Sequence, residues 1–209
     1  MKRFKYPRTP HLPWSPGASK NDTYLVDTSV FNSQEVVVSE KYDGENTTLY
    51  PEYLHARSLD SKHHASRAWI KALHAATRHH IPPGWRLCGE NLYARHSLYY
   101  DNLPSYFILF SVWNEQNECL AWTDTKAWAA RLGLELPTVL YCGVWNDMAV
   151  KSLHLDTDKQ EGYIVRLAAS SAYEAFGVSA AKWVRQNHVQ TDEHWLHRAV
   201  EPNGLKART

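Results

Sequence analysis

Short apolar runs that start or stop at a charged residue recur along this chain, and they constrain its fold more than any other feature. Val36-Val37-Val38 leads into Glu40-Lys41-Tyr42-Asp43-Gly44, and Thr47-Thr48-Leu49-Tyr50 follows at once. Tyr53-Leu54-His55-Ala56 ends at Arg57, and Gly89-Glu90 lies within Trp85–Leu92. Ser105–Trp113 is the longest run. Glu161-Gly162 opens Tyr163-Ile164-Val165-Arg166, and Lys182-Trp183-Val184-Arg185 comes last. Runs this short, rich in β-branched and aromatic residues and bounded by Gly, Pro and polar residues, read as strands. Further strands are expected at Thr23–Val26 and Leu136–Tyr141.

Helical spacing interrupts the runs three times. Trp69, Ile70, Leu73 and Ala76 share one face of a helix capped by Asp60 or Ser61 and stopped by Pro82-Pro83-Gly84. Thr123 or Asp124 caps a second helix with Ala127, Trp128 and Leu132 inward and Gly133 as its stop. Asn146 caps a short third helix ending near Leu153. Many strands with few helices predict an α+β fold of mixed, mostly antiparallel sheets. The histidines around the first helix, among them His74, show no ligand spacing and read as surface residues.

The 209 residues are 44% hydrophobic and 22% charged, enough for an ordinary core. A formal net charge of +1 excludes a globally basic nucleic-acid binder, so such contacts would need a local patch. Cys88, Cys119 and Cys142 form neither a C-x-x-C pair nor a zinc-type cluster, which fits a reducing cytoplasm. A basic start, Met1-Lys2-Arg3-Phe4-Lys5, is not followed by an apolar stretch, so neither a signal peptide nor a membrane span is read. Residues 1–22 carry Pro7, Pro10, Pro13 and Pro16 and read as extended wrapping over the surface. Arg8, His11 and Trp14 are the residues there that would edge a ligand groove.

Lys41 stands at a strand end, flanked by two carboxylates and followed by a glycine that lets the backbone turn. An amine attacks only when unprotonated, and the lysine pKa is ordinarily about 10.4. A nucleophilic Lys41 therefore needs that value lowered, by burial or by a nearby divalent metal. A K-x-D-G quartet arises by chance in roughly one chain of this length in twenty, so it decides nothing alone. The other four stretches are also, one by one, ordinary turns and edge strands. Together they fit one task, attack of a lysine on a nucleotide α-phosphate. Lys182, Arg185 and Arg57 supply cations, Glu90 and Glu161 supply hard oxygen ligands for Mg²⁺ or Mn²⁺, and Phe110 supplies a platform for a base.

In order, K-x-D-G, G-E, an aromatic strand, E-G-x-x-x-R and K-W-x-R resemble the covalent nucleotidyltransferases. These are ATP-dependent RNA and DNA ligases and mRNA capping enzymes, and the likeness is to the RNA ligase branch, including small bacterial RNA ligases. It runs from about residue 36 to 185. It implies a nucleotidyltransferase (ATP-grasp-like) adenylation fold and ligation in three steps, with ATP as cofactor and AMP carried on Lys41. It implies a catalytic set of Lys41, Asp43 and Lys182. Glu40 would sit by the adenine, and Arg57 and Glu90 by the ribose or phosphate. Phe110 would stack on adenine, Glu161 and Glu90 would serve the metal, and Lys182 and Arg185 would serve the nucleotide phosphate. Asp43 would orient Lys41 through a hydrogen bond or a water.

Two departures matter. The family often has two lysines one residue apart where this chain has Lys182 and Arg185, and alternation puts i and i+3 on opposite faces of a strand. Only 24 residues follow Arg185, so the expectation is one adenylation domain over residues 1–209, with a short tail and without an OB-fold or helical second domain. RNA with 5′-phosphate and 3′-OH ends is the implied partner, DNA remaining open, for a cytoplasmic monomer. Its grip would come from the Pro/Trp segment, from Arg67, Lys71 and Arg78, and from Arg198, Lys206 and Arg208. A DNA ligase, a capping-type enzyme and a non-catalytic binding module stay open as alternatives.

Overall fold

A computed structural model describes residues 2–186 and 199–207 of the protein. Among the described residues ten strands form two sheets, and every strand pairing is antiparallel. The first sheet holds β1 (Glu35–Lys41), β7 (Val139–Val144), β8 (Gly162–Leu167) and β10 (Ala180–Val184), in the order β10-β8-β1-β7. The second holds β2 (Glu45–Leu49), β3 (Leu54–Ala56), β4 (Arg86–Asn91), β5 (Phe107–Trp113), β6 (Glu118–Cys119) and β9 (Ser171–Ala172), in the order β3-β2-β4-β5-β6-β9. Four helices accompany them: α1 (Ala68–Thr77), α2 (Trp122–Leu132), α3 (Asp147–Lys151) and α4 (Phe176–Ser179). The architecture is the α+β class expected from the sequence. No helix among the described residues is long and apolar enough to cross a membrane.

Central β1 explains its own sequence. It lies between β8 and β7 and is covered on both faces, so Val36, Val37 and Val38 are all fully buried. A strand covered on both faces reads as a continuous apolar run rather than an alternation. Val36 and Val38 pack with Tyr163, Val165, Phe31, Trp145, Val150 and Leu12 into one core. A second core joins Leu49, Leu87, Phe107 and Leu109 of the other sheet to Ile70 of α1 and Ala129 of α2.

The three residues between β1 and β2 carry the chain from one sheet to the other. Gly44 lies in this link, and its reason is not the turn alone. A Cβ there would stand 2.6 Å from the Asn91 carbonyl oxygen and 2.7 Å from Leu92 Cδ2. Close approach of the link to β4 demands the glycine.

Several expectations need correction. Thr23–Val26 is not a strand: it makes a single bridge at Tyr24, and Val26 is 97% exposed. Its hydrogen bonds run instead to His11, which gives its N–H to Thr23 O and receives that of Leu25. The first helix begins later than expected. His64, not Asp60 or Ser61, accepts the capping bond from Ser66 N, and a 3-10 turn (Ala65–Arg67) precedes α1. The buried stripe of α1 is Ile70, His74 and Thr77, while Ala76 is exposed. His74 tolerates burial because its Nε2–H donates to Tyr50 O at 2.6 Å. In α2, Trp122 starts the helix with no side-chain cap, Ala127 is exposed and Ala129 is buried in its place, whereas Gly133 ends the helix as expected.

The proline-rich segment is more than a surface wrap. Lys182 N donates to Pro10 O and Leu12 N donates to Lys182 O, both at 2.8 Å, and Gly17 N donates to Val184 O at 2.9 Å. The segment therefore covers the outer edge of β10, satisfying groups that an open edge would leave unpaired. At Gly17 the approach is so close that a Cβ would meet Arg185 O at 2.2 Å. His11 and Leu12 are buried beneath it.

Candidate active site

Lys41 is the last residue of β1 and pairs in register with Gly162 of β8. That pairing places Glu161 beside it, and the Lys41 ammonium donates to Glu161 Oε2. Glu161 is buried. Glu90 reaches the same place from β4, accepting the Gly44 N–H at 3.2 Å. Asp43 turns away from the amine. Its Oδ2 accepts from Ser97 N (2.8 Å), Ser97 Oγ (2.6 Å) and Leu98 N (3.1 Å), and its own N–H donates to the Tyr100 hydroxyl (2.9 Å). It anchors the link between the sheets, and no direct hydrogen bond joins it to Lys41 among the described residues.

The charges are unequal. Burial disfavours the Lys41 ammonium, but Glu161, Glu90 and Asp43 outweigh it and hold the pKa above the ordinary lysine range. This is the reverse of what a nucleophile needs. Burial, reinforced by Glu161 and Asp43 and opposed by Lys41, pushes Glu90 up to about 8. Lys182 is held below the ordinary lysine range by burial first and then by the Lys41 charge, against the pull of Asp22 and Glu161.

A cavity of about 460 Å³ opens between the two sheets, a size typical of small-molecule sites. Glu40, Lys41, Ile164, Arg166 and Lys182 line it from the first sheet, and Asn46, Glu90, Ile108 and Phe110 from the second. Arg57, just beyond β3, lines it too, so seven of the nine residues singled out in the sequence converge on this site: six on the cavity wall, with Glu161 bonded to Lys41. Phe110 is half-buried, backed edge-on by Tyr6 at 5.2 Å between ring centroids. Glu40 is tied by its backbone N–H to Thr138 O (2.8 Å), and burial raises its pKa. Asn46 Oδ1 is buried there with no hydrogen-bond partner among the described residues. Such an acceptor fits a ligand donor.

Arg185 stands apart from Lys182. It is buried, gives its N–H to Glu161 O at 2.9 Å, and reaches Ser97 Oγ at 3.4 Å, next to the groups that hold Asp43. Arg166, the last residue of the E-G-x-x-x-R pattern, also lines the cavity, although the sequence pattern alone assigns it no role. Period-two alternation from Gly162 puts Ile164 and Arg166 on the cavity face. Its guanidinium donates to Phe110 O (3.1 Å) and Leu120 O (2.7 Å), tying the two sheets together.

The RNA ligase family matches residues 34–184, most of the chain. This chain belongs to the RNA ligase family. No curated protein matches it by sequence. Among solved structures, an RNA ligase of Naegleria gruberi with PPi superposes with a TM-score of 0.55 at 15% identity, covering 90% of this chain and 61% of that one. A mutant of the Naegleria enzyme with ATP and Mn gives a TM-score of 0.52 at 15% identity, covering 77% and 52%. An archaeal ATP-dependent RNA ligase gives 0.56 at 15% identity, covering 88% and 48%. These likenesses show the RNA ligase adenylation fold. The chain spans between 48% and 61% of the length of these solved ligases.

The family's metal requirement can be tested on the residues present. Among the described residues no cluster of three or more His, Cys, Asp or Glu side chains stands ready to hold an ion. Beside Lys41 stand the carboxylates of Glu90 and Glu161, with Glu40 and Asp22 elsewhere on the cavity wall, and Mg²⁺ is commonly held by one or two carboxylates with substrate phosphates and waters completing the shell. The donor set fits a cation that enters with a nucleotide. The basic patches proposed for the strand fare less well. Arg67 is buried and bonded to both oxygens of Glu45, with Nε to Oε2 at 2.7 Å, so it is not on a binding face. Arg78 faces Glu52 at 3.4 Å, while Lys71 and Lys206 are exposed. Arg198 and Arg208 lie outside the described residues.

Proposed function

We propose that this chain joins RNA ends, a 5′-phosphate to a 3′-OH, at the expense of ATP and through a lysyl-AMP intermediate. One observation carries the reading: a strand-end lysine, ion-paired to a buried glutamate, opens into a cavity that also holds a half-buried aromatic ring and several cations. Family membership supports it.

In the first step Lys41 Nζ, having lost its proton, attacks the α-phosphorus. An N–P bond forms, the P–O bond to the β-phosphate breaks, and pyrophosphate leaves. In the second, an oxygen of the RNA 5′-phosphate takes the AMP and Lys41 is released. In the third, the 3′-OH attacks that activated phosphate and AMP departs. Phe110 offers its ring to the base, with Glu40 alongside. Arg57 and Lys182 balance phosphate charge, so that positioning and charge neutralisation do most of the work. Glu161 and Glu90 would hold a divalent ion, which when bound neutralises charge on the phosphates and on these carboxylates. Asp43 acts through the link it anchors, together with its charge near Lys41.

Incubation with α-labelled ATP and Mg²⁺ or Mn²⁺ is expected to label the protein covalently, and Lys41→Ala is expected to abolish the label. A wild-type protein that stays unlabelled with either metal would overturn the proposal. A 5′-phosphorylated RNA is expected to be joined or circularised, and exclusive action on DNA would move the assignment to a DNA ligase.

A further inference from the structure

The family match begins at residue 34, yet part of the cavity wall comes from well before it. Tyr6, Pro7, Arg8 and Thr9 all line the cavity. Their placement is built in. The bonds of Pro10 and Leu12 to both backbone groups of Lys182 fix the segment against β10, two residues beyond Arg8. On the other side the rings of Tyr6 and Phe110 meet edge-on, and Tyr173 donates its hydroxyl hydrogen to Lys5 O at 2.7 Å. Arg8 is thus held between two anchored points.

Arg57 and Lys182 line the same cavity. Among the described residues none of Arg8, Arg57 and Lys182 has a carboxylate within ion-pair distance. Asp22 lines the same cavity, but its Oδ2 is taken up by Ser19 N (2.9 Å) and Ser19 Oγ (2.8 Å) and lies 3.7 Å from His11 Nε2. The cations also feel each other. After burial, the charge of Arg8 is the largest influence lowering the Arg57 pKa. Asp22 pulls the other way on Arg57 and Lys182 without pairing with either, and like charges from separate elements, gathered in one cavity without an ion pair, are costly until a further anion joins them. Arginine offers a planar donor fork that matches phosphate oxygens.

We propose that Arg8, together with Arg57, holds a phosphate group at the cavity mouth. The subsite is separate from the α-phosphate position beside Lys41, and Arg8 comes from outside the family-matched region. The phosphate comes either from the polyphosphate tail of the nucleotide or from the 5′ end of the RNA. This assignment of a role rests on the ligase reading above, whereas the binding itself does not.

Three measurements on wild type, Arg8→Ala and Arg8→Lys test it. Calorimetric titration with inorganic tripolyphosphate reads the subsite without any chemistry. Arg8→Ala is expected to bind about tenfold more weakly or worse, with partial recovery in Arg8→Lys. The rate of covalent labelling by ATP, and AMP transfer from purified labelled protein onto 5′-phosphorylated RNA, separate the two sources. A nucleotide phosphate predicts slower labelling and normal transfer; an RNA phosphate predicts the opposite. Arg8 is exposed, so a thermal melt equal to wild type is expected. If Arg8→Ala leaves tripolyphosphate binding and both rates within about twofold of wild type, the subsite does not exist. If wild type is never labelled, the ligase reading fails while the titration still decides the subsite.

Discussion

For the proposed attack Lys41 Nζ must be unprotonated, yet three carboxylates hold the proton on it. Because the folded pKa is raised, the neutral amine is scarce at neutral pH and grows as pH rises. The rate of covalent labelling is therefore expected to climb across about pH 6 to 9. Glu161→Gln removes the strongest attractor, so the profile should move to lower pH even as its height falls with loss of a metal ligand. Labelling rates over pH check this, and a shift to higher pH would contradict it. Glu90 gives a stability counterpart. Its folded pKa, about 8, lies above the ordinary glutamate value of 4.5. The folded state thus keeps a proton that the unfolded chain releases. This contribution is fully present below about pH 4.5 and is lost as pH rises through about 8. Melting temperatures of Glu90→Gln should fall less than those of wild type over that window. Phe110→Ala, which removes the stacking platform, is expected to weaken ATP binding by about 1–3 kcal/mol, measurable by titration of the Lys41→Ala background.

At the scale of the element, α1 shows how packing overrides pattern. Its stripe contains His74, neutral and donating to Tyr50 O, with a pKa lowered by burial. A histidine with a depressed folded pKa resists the proton that the unfolded chain takes up below about pH 6.5, so stability falls as pH drops through that range. His74→Gln should flatten the loss, as melts between about pH 5 and 7 would show. Ile70→Ala, one turn earlier, is expected to cost about 2–5 kcal/mol. The strands around the site were legible because each is a local run with its own candidate site residue at or near it: β1 at Lys41, β8 opening after Glu161, β10 around Lys182. Their convergence was legible only through their order. What the sequence hid was non-local. Asp43 finds its partners at Ser97 and Leu98, more than fifty residues away. Arg8 sits in a stretch without period, where no spacing marks one face from another. His74 looked like its exposed neighbours because only a carbonyl from another element distinguishes it.

For the whole molecule, the seam between the sheets is the site. The cavity draws its lining from both sheets, and the ties between them include the link around Gly44, Arg166 with its two carbonyls, and the proline-rich segment. That last segment touches the second sheet first, where Phe4 N donates to Tyr50 OH at 3.0 Å and Tyr6 meets Phe110 and Trp113. It reaches the first sheet at Pro10 and Leu12. Its length therefore behaves as a ruler. From Tyr6 to Leu12 an extended chain spans about 20 Å, and prolines at positions 7 and 10, each fixed at φ near −65°, leave little slack. Removing one residue from this span would shorten the ruler by about 3.3 Å and draw the two walls together, or else tear the segment from one of them. Either way the gap proposed for the nucleotide is dimensioned by residues outside the chemistry assigned to Lys41.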